Sequence, residues 1–371
     1  MHLGQKRTCR VAVAVALTLA AAAARADITT TLSGFGTVGG TFTSDKDFAY
    51  KHDATEFTGA SDQFDIGLES RFGVQATFDF GSGFSVTAQE VFRQRGSQQF
   101  DPGTEWLYAQ YSPVSSLQIR LGRVVLPVFL FSDSRQVGYA QPWFRSPNEV
   151  YGDFPFDYVD GGQVSWTKSF GEFTFGAESS FGSTSGTFAD GNLTLVEDAR
   201  DVLNGAISLT YGDLLLRFAD TILTIPTSLP LTPTYTLSYQ EHGQFLSAGG
   251  QYDNGKAVLV AEWAKAKQND IPGFGEPLVA STQWYAAAGW RFGKFLPVAI
   301  YGAEKNEQGL LSPPYSKGSW SGSFRYDLMT GVALKAEVSR AGASNGVYFI
   351  TPSTTSNQGI YVYSLGVDFV F

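Results

Sequence analysis

"FDIGLESRFGVQATFDF", residues 64–80, separates into two faces of opposite character. Phe64, Ile66, Leu68, Ser70, Phe72, Val74, Ala76, Phe78 and Phe80 fall on one face, and Asp65, Gly67, Glu69, Arg71, Gly73, Gln75, Thr77 and Asp79 on the other. A period of two is the signature of a β-strand with one apolar and one polar side. This run far exceeds the ~5–6 residues usual for a globular strand. A barrel strand crossing a bilayer needs ~9–11 residues and can project beyond it. The stretch therefore reads as barrel wall, with lipid on one face and a polar lumen on the other.

The same alternation predicts sixteen strands, over 29–43, 62–80, 83–95, 104–112, 116–124, 160–169, 172–182, 199–211, 213–224, 238–252, 256–267, 282–293, 296–305, 316–328, 332–340 and 359–371. Connections after even-numbered strands are tight ("GSG", "PVSS", "FGE", "YGD", "DNG", "FGK", "LMTG"), and those after odd-numbered strands are long and rich in Ser, Thr, Pro, Asp and Gly. Loops sorted by parity, with both termini at the short end, predict an all-β, antiparallel, 16-stranded transmembrane barrel with periplasmic turns and extracellular loops. Two strands resist the pattern: in "FSVTAQEVFRQR" Glu90 shares the apolar face, and in "KAVLVAEWAKAK" neither face is cleanly apolar. A bulge, or a face protected in a subunit interface, accounts for either.

The ends of the chain support export. Lys6, Arg7 and Arg10 precede an apolar run from Val11 to about Ala24, with an A-x-A site at Ala24 and Ala26, so residues 1–26 read as a cleaved signal peptide and 27–371 as one barrel domain. Cleavage removes the only cysteine, Cys9, and four cations including Arg25, taking the formal charge from −9 to −13. An acidic, exported, cysteine-free chain is a poor match for nucleic acid. With 41 Gly, 30 Phe, 17 Tyr and 7 Trp, and a mean hydropathy of −0.07, the composition fits strands whose two faces average to neutrality. Trp106, Tyr108, Tyr111, Trp166, Trp263, Trp284, Trp290, Trp320, Tyr361 and Tyr363 are expected to form interfacial girdles.

Two motifs look catalytic. "GFGTVG", Gly34–Gly39, fits a dinucleotide fingerprint but lies inside the first strand, with no helix to receive a pyrophosphate; its glycines are better explained by close approach of a neighbouring surface. "GASNG" places Ser344 in a G-x-S-x-G pattern outside any strand-to-helix elbow, and His52 and His242 are the only mature histidines. Neither a triad nor a metal site emerges, no cofactor is expected, and a barrel hydrolase using Ser344 and His242 is the weakest reading.

The longest connection, "LPVFLFSDSRQVGYAQPWFRSPNEVYGDFPFDYVD" (126–160), is too aromatic to extend freely into water. It carries Asp133, Glu149, Asp153 and Asp157, with Asp160 at its exit, while early strands offer Arg71, Arg93, Arg95 and Arg120, with Arg123 at the loop's start. Loop acids folded against an arginine wall would narrow a pore and set a transverse field. The plainer arrangement pairs the acids with Arg135 and Arg145 of the same loop.

With these features, the opening "LSGFGTVGG" and the terminal "YSLGVDFVF", the chain resembles the trimeric Gram-negative porins across its mature length. The resemblance implies passive diffusion of ions and small hydrophilic solutes through the outer membrane, and an inward third loop (125–159) as the constriction. It also implies a homotrimer set among lipid and lipopolysaccharide. The last strand, through Tyr363, Phe369 and Phe371, would be what the barrel-insertion machinery reads. The chain lacks the Pro-Glu-Phe-Gly-Gly loop signature of enteric members. Alternative functions are a substrate-specific channel and a barrel adhesin or receptor.

Overall fold

The computed structural model describes residues 28–371, apart from 47, 48, 52, 57, 58, 96–98, 191, 192, 233, 234, 274, 276, 278, 279, 308–313, 345–349 and 352–358. The expected signal peptide and His52 lie outside the described residues. Sixteen antiparallel strands close into one barrel. They are β1 Thr29–Thr43, β2 Arg71–Gly81, β3 Phe84–Gln94, β4 Phe100–Val114, β5 Leu117–Val125, β6 Tyr158–Phe170, β7 Phe173–Asp190 and β8 Leu193–Tyr211. These are followed by β9 Leu214–Thr232, β10 Tyr235–Asp253, β11 Ala257–Gln268, β12 Ala280–Trp290, β13 Phe295–Asn306, β14 Tyr315–Met329, β15 Val332–Ser344 and β16 Ile360–Val370. Closure gives every wall strand a partner on both sides, so no open edge is left to face lipid.

Closure occurs between β1 and β16, in register from Phe35 opposite Val370 to Thr43 opposite Val362. The glycines of "GFGTVGG" make this seam. A Cβ on Gly34 would lie 2.4 Å from the Phe371 ring, and one on Gly36 would lie 2.4 Å from the Phe369 ring. The tips of the terminal rings thus rest on bare backbone, and Tyr363 stacks on Phe42 at 4.9 Å. Phe371 continues the ladder past the strand, exchanging both backbone bonds with Gly34 at 3.0 Å.

Three expectations change. The second strand starts at Arg71 rather than near residue 62. Residues before it bend back over β1, where Asp65 and Thr41 exchange backbone bonds at 2.9 Å and the Asp65 carboxylate caps the Gly67 N–H at 2.6 Å. Phe64 and Ile66 still face outward there, so the alternation runs on without a continuous strand.

The connections after the seventh and ninth strands are not long loops. The strands continue into tall hairpins, β7–β8 and β9–β10, with strands of 18–19 residues. Above the membrane both faces of such a hairpin meet water, as at the Ser228–Ser238 hydroxyl pair, so apolar alternation stops marking the strand. A bulge lies beside Glu90 but in the next strand: Gln89 pairs with Trp106 and Glu90 with Thr104, leaving Glu105 as the extra residue, so Glu90 keeps its place on the outer face, where the Thr104 hydroxyl donates to its carboxylate. The girdle loses two members: Trp106 and Tyr108, opposite inward-facing Gln89 and Thr87, point into the lumen. Tyr111, Trp166, Trp263, Trp284, Trp290, Trp320 and Tyr361 do lie exposed on the outer face.

Candidate pore constriction

Between β5 and β6 the chain folds inside the barrel as two 3-10 turns, Ser132–Ser134 and Gly138–Ala140, and one α-helical turn, Asn148–Tyr151. Its aromatics build a core there. Phe129 packs on Tyr151 (4.5 Å) and edge-on to Phe245 (5.4 Å), while Trp143 sits edge-on between Phe131 (5.7 Å) and Tyr285 (5.6 Å). The receiving wall is apolar on its inner side: Val258, Val260 and Ala264 of β11, Ala287 of β12, and Leu296, Val298 and Ile300 of β13 are all buried in the same cluster. This accounts for the mixed faces of "KAVLVAEWAKAK". The protected face is covered by the inserted loop within the lumen, and no subunit interface is needed to explain it.

Buried charge pins the loop's backbone. The Lys335 ammonium donates to the carbonyls of Gly138 (2.6 Å), Gln141 (2.8 Å) and Trp143 (2.8 Å) and pairs with Asp368 at 2.9 Å. Glu262 accepts from the Leu130 N–H (2.7 Å) and the Tyr151 hydroxyl (2.6 Å). Arg145 pairs with Glu69 at 2.9 Å, and Arg325 donates to the Tyr139 and Gln141 carbonyls at 2.7 and 3.0 Å.

Of the predicted constriction residues, Arg93 of the wall meets Asp157 of the loop at 3.4 Å. Arg71 reaches the loop through the Gln136 carboxamide at 3.3 Å. Asp133 is exposed on the loop. Arg120 faces the lumen but pairs with amides rather than acids, bonding Gln110 (2.8 Å), Gln163 (3.1 Å) and Gln118 (3.0 Å), its guanidinium 5.0 Å from the Tyr108 ring. Arg95 pairs with Glu105 of the neighbouring strand.

The remainder lie elsewhere. Arg123 and Asp160 share the outward face with Leu121 and Val164 and pair with each other at 2.7 Å, so parity places them on the outer wall. Asp153 crosses to the far wall, where Lys317 holds it at 2.8 Å. Glu149 is fully buried against the bare backbone of Gly302, where a Cβ would lie on its carboxylate. Burial pushes the Glu149 carboxyl above its ordinary range, against the pull of nearby Lys317. The plainer pairing also holds in part, since Arg135 binds Asp157 (2.6 Å) and Asp53 (3.3 Å).

Sequence reasoning missed Lys335, Lys317, Glu262, Glu69 and Asp368. For Glu262 a usable signal was present, since it stands among the apolar inward residues Val258, Val260 and Ala264 of β11. The catalytic-looking motifs find no such support. His242 lies on β10 beside the Thr224 hydroxyl (3.2 Å), five strands from Ser344 at the end of β15, and Gly346 lies outside the described residues.

A closed sixteen-stranded wall with a loop folded into its lumen is the geometry of a channel, and a sequence profile described as Gram-negative porin matches residues 12–346. The chain belongs to the Gram-negative porins. This porin is an outer-membrane protein that provides a channel for passive diffusion.

Similar folds are found among solved structures. A loop-L8 deletion mutant of OmpT, an outer membrane protein of Vibrio cholerae, is 15% identical with a TM-score of 0.61, over 93% of this porin and 99% of that chain. In-vitro folded OmpT of Vibrio cholerae in trimer form is 14% identical with a TM-score of 0.58, over 93% and 99%. The outer membrane channel DcaP of Acinetobacter baumannii is 11% identical with a TM-score of 0.57, over 93% and 97%. No curated protein sequence matches the chain.

Proposed function

We propose that this porin is a general, non-enzymatic channel for ions and small hydrophilic solutes, working as a homotrimer, with the inserted loop setting its aperture. The observation that carries the reading is the unequal lining of the lumen. The loop fills the β10–β15 side with apolar and buried ionic contacts. On the opposite side, inward residues of β2–β9 keep polar atoms in contact with water: Gln75, Gln110, Gln118, Arg120, Glu178 and Arg217 are only half-buried. Such a strip replaces part of a solute's hydration as it passes. Arg71, Arg93 and Arg120 face this strip, with Asp133 and Asp157 of the loop as their counter-charges. The trimer rests on family membership and the trimeric form of the Vibrio protein. Contacts with lipopolysaccharide and the barrel-insertion machinery follow from the same membership, after loss of residues 1–26.

Planar-bilayer recording tests this reading. Stable conductance steps without added ligand are expected, and silence from well-folded protein would overturn it. Replacing Arg93 or Arg120 by Gln removes a cation from the strip, so the reversal potential in a salt gradient should move toward cation selectivity. An unchanged potential would take those side chains out of the aperture.

A further inference from the structure

On the watery side of the lumen, Gln110, Arg120, Gln163, Ser180, Asn204 and Thr221 stand side by side in register on β4–β9. Their side chains are tied to one another. Arg120 donates to Gln110 (2.8 Å) and Gln163 (3.1 Å), Gln163 to Ser180 (3.2 Å), and Asn204 to Thr221 (2.8 Å). With a third bond to Gln118 at 3.0 Å, the Arg120 guanidinium meets three carboxamide oxygens and, among the described residues, no carboxylate. The row thus presents carboxamides and hydroxyls, groups that both donate and accept hydrogen bonds.

One step nearer the loop, the next inward row is almost bare. Tyr108 is followed across the ladder by Gly122 and Gly161, so two adjacent strands leave backbone where side chains would otherwise fill the lumen. Gly122 is exposed. Aromatic rings close this shelf on the β4 side: Trp106 and Tyr108 both turn inward and are only half-buried. Two residues apart on one strand, they are spaced ~6.8 Å along it. Arg120 lies 5.0 Å from the Tyr108 ring and steadies it. Beyond Trp106 the register continues to Gln89 and Gln75, whose carboxamides bond each other at 3.0 Å. An aromatic platform, an open shelf and a border of groups that donate and accept match one kind of solute. A pyranose has apolar C–H faces and a rim of hydroxyls that also donate and accept. An anion finds the Arg120 donors already engaged, and a hydrocarbon would leave the carboxamide row without water.

We propose that this shelf is a subsite for neutral sugars, in which one pyranose stacks a C–H face on Trp106 and its hydroxyls exchange hydrogen bonds with Gln75, Tyr108 and Gln110. Sugar passage rests on the channel reading, whereas sugar binding stands on the lumen wall alone.

Cellobiose is the probe, because its equatorial hydroxyls leave only C–H groups on both ring faces; tetraethylene glycol is the neutral control, with ether and hydroxyl oxygens but no ring. Saturation-transfer NMR on the full, detergent-folded protein should show saturable transfer to the ring C–H protons of cellobiose, with the glycol at least tenfold weaker. Trp106→Ala and Gln75→Leu should each raise the half-saturation concentration at least fivefold, and Trp106→Phe, which keeps a ring, should stay closer to the parent. Folding is checked by heat-modifiable gel migration. Absence of saturable transfer, equal binding of the glycol, or parental binding by both folded Trp106→Ala and Gln75→Leu would overturn the proposal. Single-channel recording on the same preparations separates the two readings. Conductance without sugar binding sinks the subsite and leaves the channel, whereas sugar binding without conductance sinks the channel and leaves the subsite.

Discussion

Lys335 shows how much one side chain can organise in this protein. Its ammonium meets three loop carbonyls and the Asp368 carboxylate, all shielded from water. Removing one member of a buried, hydrogen-bonded ion pair leaves an uncompensated charge and costs ~3–5 kcal/mol. Lys335→Met should therefore lower the temperature at which the barrel loses its compact gel mobility, and adding Asp368→Asn should restore part of it. Glu149 behaves in the opposite sense. Because its folded-state pKa is raised by burial, the stability it contributes is full below the ordinary carboxyl range and is lost as pH rises through the raised value. Glu149→Gln should match the parent near pH 4 and exceed it near pH 8 in thermal unfolding followed by circular dichroism; a parallel pH profile for the two proteins would exclude this role.

Among the elements, strands were legible where lipid and lumen imposed opposite demands, and obscure where those demands disappeared. Barrel closure, strand number and the outward row of β16, Tyr361, Tyr363, Leu365, Val367, Phe369 and Phe371, follow from alternation alone, and the structure has the same row. Alternation carries no information in the tall hairpins, whose two faces both meet water above the membrane. It misleads at residues 64–70, which keep the lipid-facing pattern after leaving the strand. Trp106 and Tyr108 stand an odd number of residues from outward-facing Tyr111, so the same alternation turns them to the lumen, while Glu90 stays on the outer face beside Thr104. The inserted loop was recognisable from its aromatics, but its partners were not, because the pairs join positions up to roughly two hundred residues apart. At the seam, Phe371 rests on Gly34 and Phe369 on Gly36. Deleting Phe371, or placing Val at Gly36, should reduce the yield of assembled barrel in outer-membrane fractions more than it changes the conductance of what does assemble. A normal yield with altered conductance would count against that division of labour.

For the molecule as a whole, the lumen holds two environments side by side: an apolar core shared by loop and wall, and a polar strip left to water. Trp143 is at the centre of the core and fully buried. Trp143→Ala should cost ~3–5 kcal/mol and, by loosening the loop, raise and broaden the single-channel conductance. Sharp, parental conductance levels from the variant would show that the aperture does not depend on this packing.

Because aromatic contacts and dry ion pairs set the loop's position, dissolved electrolyte has little hold on it. Charges at a water-exposed eyelet loosen as the Debye length contracts from ~10 Å at 0.1 M to ~3 Å at 1 M, but dispersion contacts and shielded pairs are scarcely screened. The bore should thus stay fixed while the bathing solution changes. Conductance would then rise in simple proportion to bulk conductivity, and a cell carrying this protein would keep the same molecular sieve in fresh water and in brine.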